Sequence, residues 1–179
     1  MARMKDLYQK TVAPELQKEL GLKNVHQIPK IAKVVVNAGV GRAALDAKKL
    51  EAVVAGLKGI TGQAPVITKA KKSIAGFKLR EGMSVGATIT LRGDMMYEFL
   101  DRLVSIALPR VRDFRGLKAG AFDGHGNYSL GLREHGVFPE IPFEEASEPF
   151  GLQVNISTTA KSDEQAKALL THLGFPFKG

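Results

Sequence analysis

The sequence predicts an α+β fold, a largely antiparallel sheet of about five strands with helices packed on one face. Two periodicities support this. Some segments alternate apolar and polar residues at period two, and others repeat apolar residues at i, i+3, i+4 and i+7. A sheet covered on both faces would read as continuous apolar runs, so one apolar and one polar side per strand points to helices on a single face.

The elements follow in chain order. Tyr8, Val12 and Leu20 suit an N-terminal helix, but Pro14 has no N–H to donate, so that helix either kinks or starts near it. In IAKVVVNA, Ala32, Val34, Val36 and Ala38 share one side, and Lys33 and Asn37 take the other beside Val35. Leu50, Val53, Val54 and Leu57 make a helical stripe. In ATITLR the apolar set is Ala87, Ile89 and Leu91, opposite Thr88, Thr90 and Arg92. Met96, Phe99, Leu100, Leu103 and Ala107 form a longer stripe that stops before Pro109. YSLGLR sets Tyr128, Leu130 and Leu132 against Ser129 and Arg133, and LQVNIS sets Leu152, Val154 and Ile156 against Gln153, Asn155 and Ser157. The last helix carries Ala166, Leu169, Leu170 and Leu173 behind a capping box of Ser162 and Gln165. Long irregular connections are expected around Lys69 to Val85 and from Arg112 to Asn127, and connections of that length usually carry function.

A chain of 179 residues is expected to form a single domain over 1–179, because it removes about two-thirds of its unfolded surface from water. Lys and Arg number 26 against 18 acids, a net charge of +8 that favours a polyanionic partner. No cysteine is present, which excludes disulfides, thiolate metal sites and cysteine nucleophiles. MARMKDLYQK lacks the apolar core of a signal peptide and no apolar run approaches about 18 residues. A soluble cytoplasmic protein without a membrane partner is expected.

The polar strand positions Lys33, Asn37, Thr88, Thr90, Arg92, Ser129, Arg133, Gln153, Asn155 and Ser157 include no carboxylate. Such a face suits phosphates and 2′-hydroxyls of a structured RNA, since amides and hydroxyls can meet them without repulsion. It also suits a merely solvated sheet, where Thr and Lys are common. Few aromatics lie on it, so base stacking is not its mode.

ITGQAPVITKAKKSIAGFKLREG concentrates Lys69, Lys71, Lys72, Lys78 and Arg80 with no acid before Glu81, and interleaves Ser73, Ile74 and Phe77. A projecting loop that touches nucleic acid is one reading, and a solvated charge run is the other. PRVRDFRGLK adds Arg110, Arg112, Arg115 and Lys118. Glu134, Glu140, Glu144, Glu145 and Glu148 then fall in a stretch without Lys or Arg, either a solvated acidic loop or a contact for a basic protein.

Catalysis finds no support. In VVVNAGVGRAALD, Gly39 and Gly41 follow a strand, but Ala44 stands where a dinucleotide fingerprint needs glycine, so a strand-to-helix turn accounts for them better. His26, His125, His135 and His172 share no ligand spacing, and no nucleophile stands with a base. No catalytic residue, metal site or cofactor is expected.

The basic stretch, with GATITLRGDMMYEFLDRLVSIALPRVRDFRGL, FDGHGNYSLGLREHGVFPEI and TTAKSDEQAKALLTHLGFPF, closely resembles the bacterial large-subunit ribosomal protein L-five family, in unbroken order from about Leu7 to Phe177. The resemblance implies a structural RNA-binding protein that holds 5S rRNA in the central protuberance. Its further partners would be 23S rRNA, peptidyl-site tRNA, neighbouring large-subunit proteins and a basic protein of the small-subunit head. Carried over by position, Asn37, Gln63 and Thr90, with Arg92 beside them and Lys33 and Thr88 on the same polar face, fall to 5S rRNA. Lys69, Lys71, Lys72, Ser73, Phe77, Lys78 and Arg80 fall to tRNA, and Arg112, Arg115, Glu134, Glu140, Glu144 and Glu145 to the intersubunit bridge. The chain departs from the family pattern at His125, where Arg is expected, and at His135 and Gly136, which replace Gln and an aliphatic residue. Fewer permanent charges follow for that surface.

Overall fold

A computed structural model describes residues 2–41, 47–142 and 149–178. Its strands are β1 (Ile31–Gly39), β2 (Val66–Lys69), β3 (Ser84–Leu91), β4 (Tyr128–Leu132) and β5 (Leu152–Thr158), in the sheet order β2-β3-β1-β5-β4. The helices are α1 (Arg3–Leu7), α2 (Ala13–Glu19), α3 (Ala47–Thr61), α4 (Gly93–Arg102), α5 (Leu108–Arg110) and α6 (Asp163–His172). The class is α+β, as the alternating strands and helical stripes predict. The backbone divides into two compact units, one of Met1–Val34, Leu91–Leu130 and Asn155–Gly179, the other of Val35–Thr90 and Gly131–Val154.

In the first unit, the stripe from Met96 to Ala107 is buried throughout, as are Val12, Leu16, Ala166, Leu169, Leu170 and Leu173. Burying a large apolar side chain contributes about 1.5–3 kcal/mol, so these stripes dominate the packing of the unit. Both prolines of the helical segments are accommodated in the same way. A π-helical stretch, Tyr8–Val12, joins α1 to α2 ahead of Pro14, and another, Leu103–Ala107, joins α4 to α5 ahead of Pro109. The N–H of Ala13 reaches the carbonyl of Tyr8 and that of Leu108 reaches Leu103, one residue further back than in an α-helix. The wider turn gives the proline ring room where an α-turn would clash. The helix therefore passes through Pro14 instead of starting there. Tyr8 is fixed by its hydroxyl, which donates to the Pro29 carbonyl at 3.0 Å, and by stacking on Tyr97. Burial, with Tyr97 close by, pushes its phenol up to about 12.

The α6 cap differs from the predicted box in one bond. Ser162 Oγ accepts from the Gln165 N–H at 3.5 Å, but the Gln165 side chain accepts from the N–H of Lys161 at 3.2 Å rather than from Ser162. Residues 112–127 are less irregular than expected. The Leu117 and Phe122 backbones bridge to Phe177 and Tyr128, and Ala119–Ala121 form a short 3-10 turn.

The second unit contains α3, whose Val53, Leu57 and Ile60 are buried. The Thr61 hydroxyl donates to the Leu57 carbonyl at 2.7 Å, and the N–H of Gly62 closes on Lys58 at 2.8 Å, which ends the helix. After the turn through Gln63, β2 pairs antiparallel with β3, Val66 opposite Thr88 and Ile67 opposite Ala87.

The strand sides are largely those predicted. Ala87, Ile89, Leu130, Leu132, Leu152, Val154 and Ile156 are buried, each on the apolar side of its own strand. Ala32 is the exception, exposed while Ile31 is buried, because the alternation of β1 breaks at its first residues. Gly41 has φ of 54°, in keeping with a turn after β1, while Ala44 lies outside the described residues.

Candidate nucleic-acid interface

The site is built from the polar sides of the strands and from the hairpin after β2. In the second unit, Asn37 on β1 and Thr88 on β3 are half-buried and Thr90 is exposed. The Thr88 hydroxyl donates to the Val36 carbonyl at 3.3 Å, which fixes its rotamer across the strand gap. Gln63 comes from the α3–β2 turn, yet its side-chain amide donates to the Thr90 carbonyl at 3.4 Å. A residue outside the strands thus joins the strand residues. In the first unit, Lys33 is half-buried on β1 and Arg92 is exposed at the N-cap of α4.

Val66 and Thr68 belong on the same side, and sequence reasoning left them out. Residues directly opposite in an antiparallel pair project to one side, which sets Val66 beside Thr88 and Thr68 beside Gly86. Val66 is 67% exposed. The one signal available was the short β-branched run Val66, Ile67 and Thr68 after the turn-formers Gly62 and Pro65, which is too brief to show a period.

Lys69 closes β2, and residues 70–82 form a compact hairpin rather than the irregular connection expected. The N–H of Ala70 donates to Met83 at 2.8 Å and that of Gly82 to Ala70 at 3.0 Å. Nearer the tip, Ile74 and Leu79 exchange backbone bonds of 3.0 and 3.2 Å around a 3-10 turn at Ala75–Phe77. Lys78 follows in the left-handed region at φ of 54°, a strain of about 1–2 kcal/mol for a side-chain-bearing residue. The Ser73 hydroxyl accepts from the Glu81 N–H at 2.9 Å, so Ser73 helps to build the hairpin. Lys71, Lys72, Phe77, Lys78 and Arg80 are all exposed. None of those cations forms an ion pair among the described residues.

The proposed bridge residues separate by unit. Arg112 and Arg115 are exposed in the first. Glu134 is exposed and Glu140 half-buried in the second, and Glu144 and Glu145 lie outside the described residues. His135, read from the sequence as part of that surface, is buried at 2% exposure and stacks on Phe150 with centroids 3.8 Å apart. Its Nδ1 accepts from the Phe150 N–H at 3.3 Å, which makes it a packing residue.

DGHGNY is a structured turn in the first unit. Asp123 accepts from the N–H groups of His125 and Asn127 and from the Asn127 amide, and these bonds, the Asn127 side chain first, hold its carboxyl down at about 2. The Asp163 carboxylate accepts from Gly124 and Gly126 at 3.1 and 2.8 Å. His125 itself is exposed. Among the described residues no group of His, Cys, Asp or Glu is arranged to hold a metal ion, and no helix is long and apolar enough to cross a membrane.

Comparison with known proteins gives this geometry its family. The family model for the C-terminal part of ribosomal protein L5 matches residues 84–177, and the model named ribosomal protein L5 matches residues 24–80. The large ribosomal subunit protein uL5 of Francisella tularensis subsp. novicida is 57% identical over 178 residues, 99% of each chain. Those of Synechocystis sp. and Microcystis aeruginosa are 55% and 54% identical over 176 residues, 98% of each chain. The chain therefore belongs to the ribosomal protein L5 family, structural and non-enzymatic components of the large ribosomal subunit.

Proposed function

We propose that the chain works in the cytoplasmic ribosome by holding 5S rRNA through Lys33, Asn37, Gln63, Thr88, Thr90 and Arg92, and helps to attach that RNA, beside 23S rRNA and neighbouring proteins, in the central protuberance. The observation that carries this reading is the Gln63–Thr90 bond, which joins a turn residue to an acid-free set of amide and hydroxyl groups. Groups of that kind can donate to phosphates and ribose hydroxyls, and they add no repulsion to a chain of charge +8.

The hairpin serves a second RNA. Lys69, Lys71, Lys72, Ser73, Phe77, Lys78 and Arg80 touch peptidyl-site tRNA, an assignment supported by cations that no carboxylate neutralises. Arg112, Arg115, Glu134, Glu140, Glu144 and Glu145 contact a basic protein of the small-subunit head, where the acids attract it and repel RNA.

Competition binding tests the first assignment. The purified chain should select 5S rRNA over a transfer RNA of similar length at moderate salt. Equal affinity for the two would reduce the reading to non-specific electrostatic binding.

A further inference from the structure

We propose that the tip of the 70–82 hairpin is a stacking element, in which the Phe77 ring lies against an unpaired, outward-turned nucleobase of a folded RNA while the flanking lysines hold its phosphates. This rests on the reading of the hairpin as a tRNA contact and names the group it takes.

Phe77 is 65% exposed and Ile74 46% exposed, on a segment whose charged residues are Lys71, Lys72, Lys78 and Arg80 against the single acid Glu81. The hairpin does not need the ring for its own closure, because the Ile74–Leu79 and Ala70–Gly82 backbone bonds and the Ser73 hydroxyl already close it. Among the described residues, Phe77 is the aromatic member of the exposed large hydrophobic set, whose others are aliphatic or methionine. A ring on a backbone already closed loses little freedom on binding, having only two side-chain torsions.

The surrounding charge decides between occupants. An apolar pocket of another protein would accept the ring but would leave four neighbouring cations to be desolvated or matched by acids. An RNA supplies both partners at once, a base face for the ring and phosphates for the lysines. Base faces are hidden in a regular duplex, so the target is a base freed at a loop or corner of a folded RNA. The polar side of the strands, poor in aromatics, reads shape and backbone instead. Two RNA contacts on one chain thus differ in chemistry.

The test uses large ribosomal subunits carrying F77A, F77L, F77W or the double variant K71A/K72A, with dissociation of deacylated tRNA from the peptidyl site as the readout. F77A should release tRNA about tenfold faster, the scale of one base–aromatic stack, with an unchanged dependence on salt. F77W should match the parent, and F77L should behave like F77A. K71A/K72A should weaken binding and flatten the salt dependence. Parent-like F77L would mean an apolar wedge and overturn stacking. Parent-like F77A with impaired K71A/K72A would overturn stacking and keep the tRNA assignment, whereas parent-like behaviour of both would overturn the two together.

Discussion

The side-chain amide of Gln63 donates to the backbone carbonyl of Thr90 across 3.4 Å, tying the end of α3 to the exposed side of β3. The bond aims Gln63 along the same strand that carries Thr88. Q63A should weaken 5S rRNA binding about fivefold, the scale of one net hydrogen bond near 1 kcal/mol, with little change in the unfolding midpoint. Q63E should weaken it further, since a carboxylate cannot donate to Thr90 and faces phosphates. Filter binding at fixed salt measures both, and a Q63E variant that binds as well as Q63A would place the RNA elsewhere.

Replacing Lys71, Lys72 and Lys78 with alanine should leave 5S rRNA binding intact and weaken tRNA contact on assembled ribosomes. Each lost phosphate contact lowers the slope of log affinity against log salt by about 0.7–0.9. No other described side chain forms an ion pair with these lysines, so their removal should not disturb the fold. Comparable loss of 5S binding in the triple variant would show that hairpin and strands serve one RNA.

The strands that alternate over five or more residues were legible because burial on one side imposes period two, and β3, β4 and β5 follow it. β2 was not, since it has four residues and its Val66 and Ile67 are 67% and 44% exposed, so little burial patterns them. The basic cluster was visible as composition, but its hairpin rests on backbone bonds such as Ile74 to Leu79 that leave no periodic trace. His135 misled for a related reason. Histidine suits either a wet surface or a stack, and only the approach of Phe150, distant in sequence, decides between them.

Gly86 on β3 lies where a β-carbon would fall 2.5 Å from the Ala38 carbonyl oxygen and 3.2 Å from Thr68 Oγ1. The nearest atom is backbone and cannot swing aside, so β1 and β3 must shift apart locally. G86A should therefore cost about 1–3 kcal/mol, read as a lower thermal midpoint. It should also weaken 5S binding more than its stability loss explains, because Asn37 and Thr88 move with those strands. An unchanged midpoint would mean that the two strands are not held at this spacing.

Asp123 sets a pH dependence of the DGHGNY turn. The bonds that its carboxyl accepts from His125 and Asn127 are stronger when it is ionised, and they hold its folded value at about 2 against 3.8 for the free side chain. A group depressed by folding stabilises the native state fully above its unfolded value, and that contribution disappears as pH falls through the folded one. The advantage of the parent over D123N should therefore be complete above about pH 4 and shrink towards pH 2. Asp94 and Asp101, lowered by bonds from Lys5 and Arg3, titrate identically in both proteins and cancel from the difference. Paired thermal melts between pH 5 and pH 2, with amide exchange at His125 and Asn127 as the local probe, measure it. A parent-to-variant difference that stays constant with pH would mean that the turn is held by its backbone shape and not by the charge on Asp123.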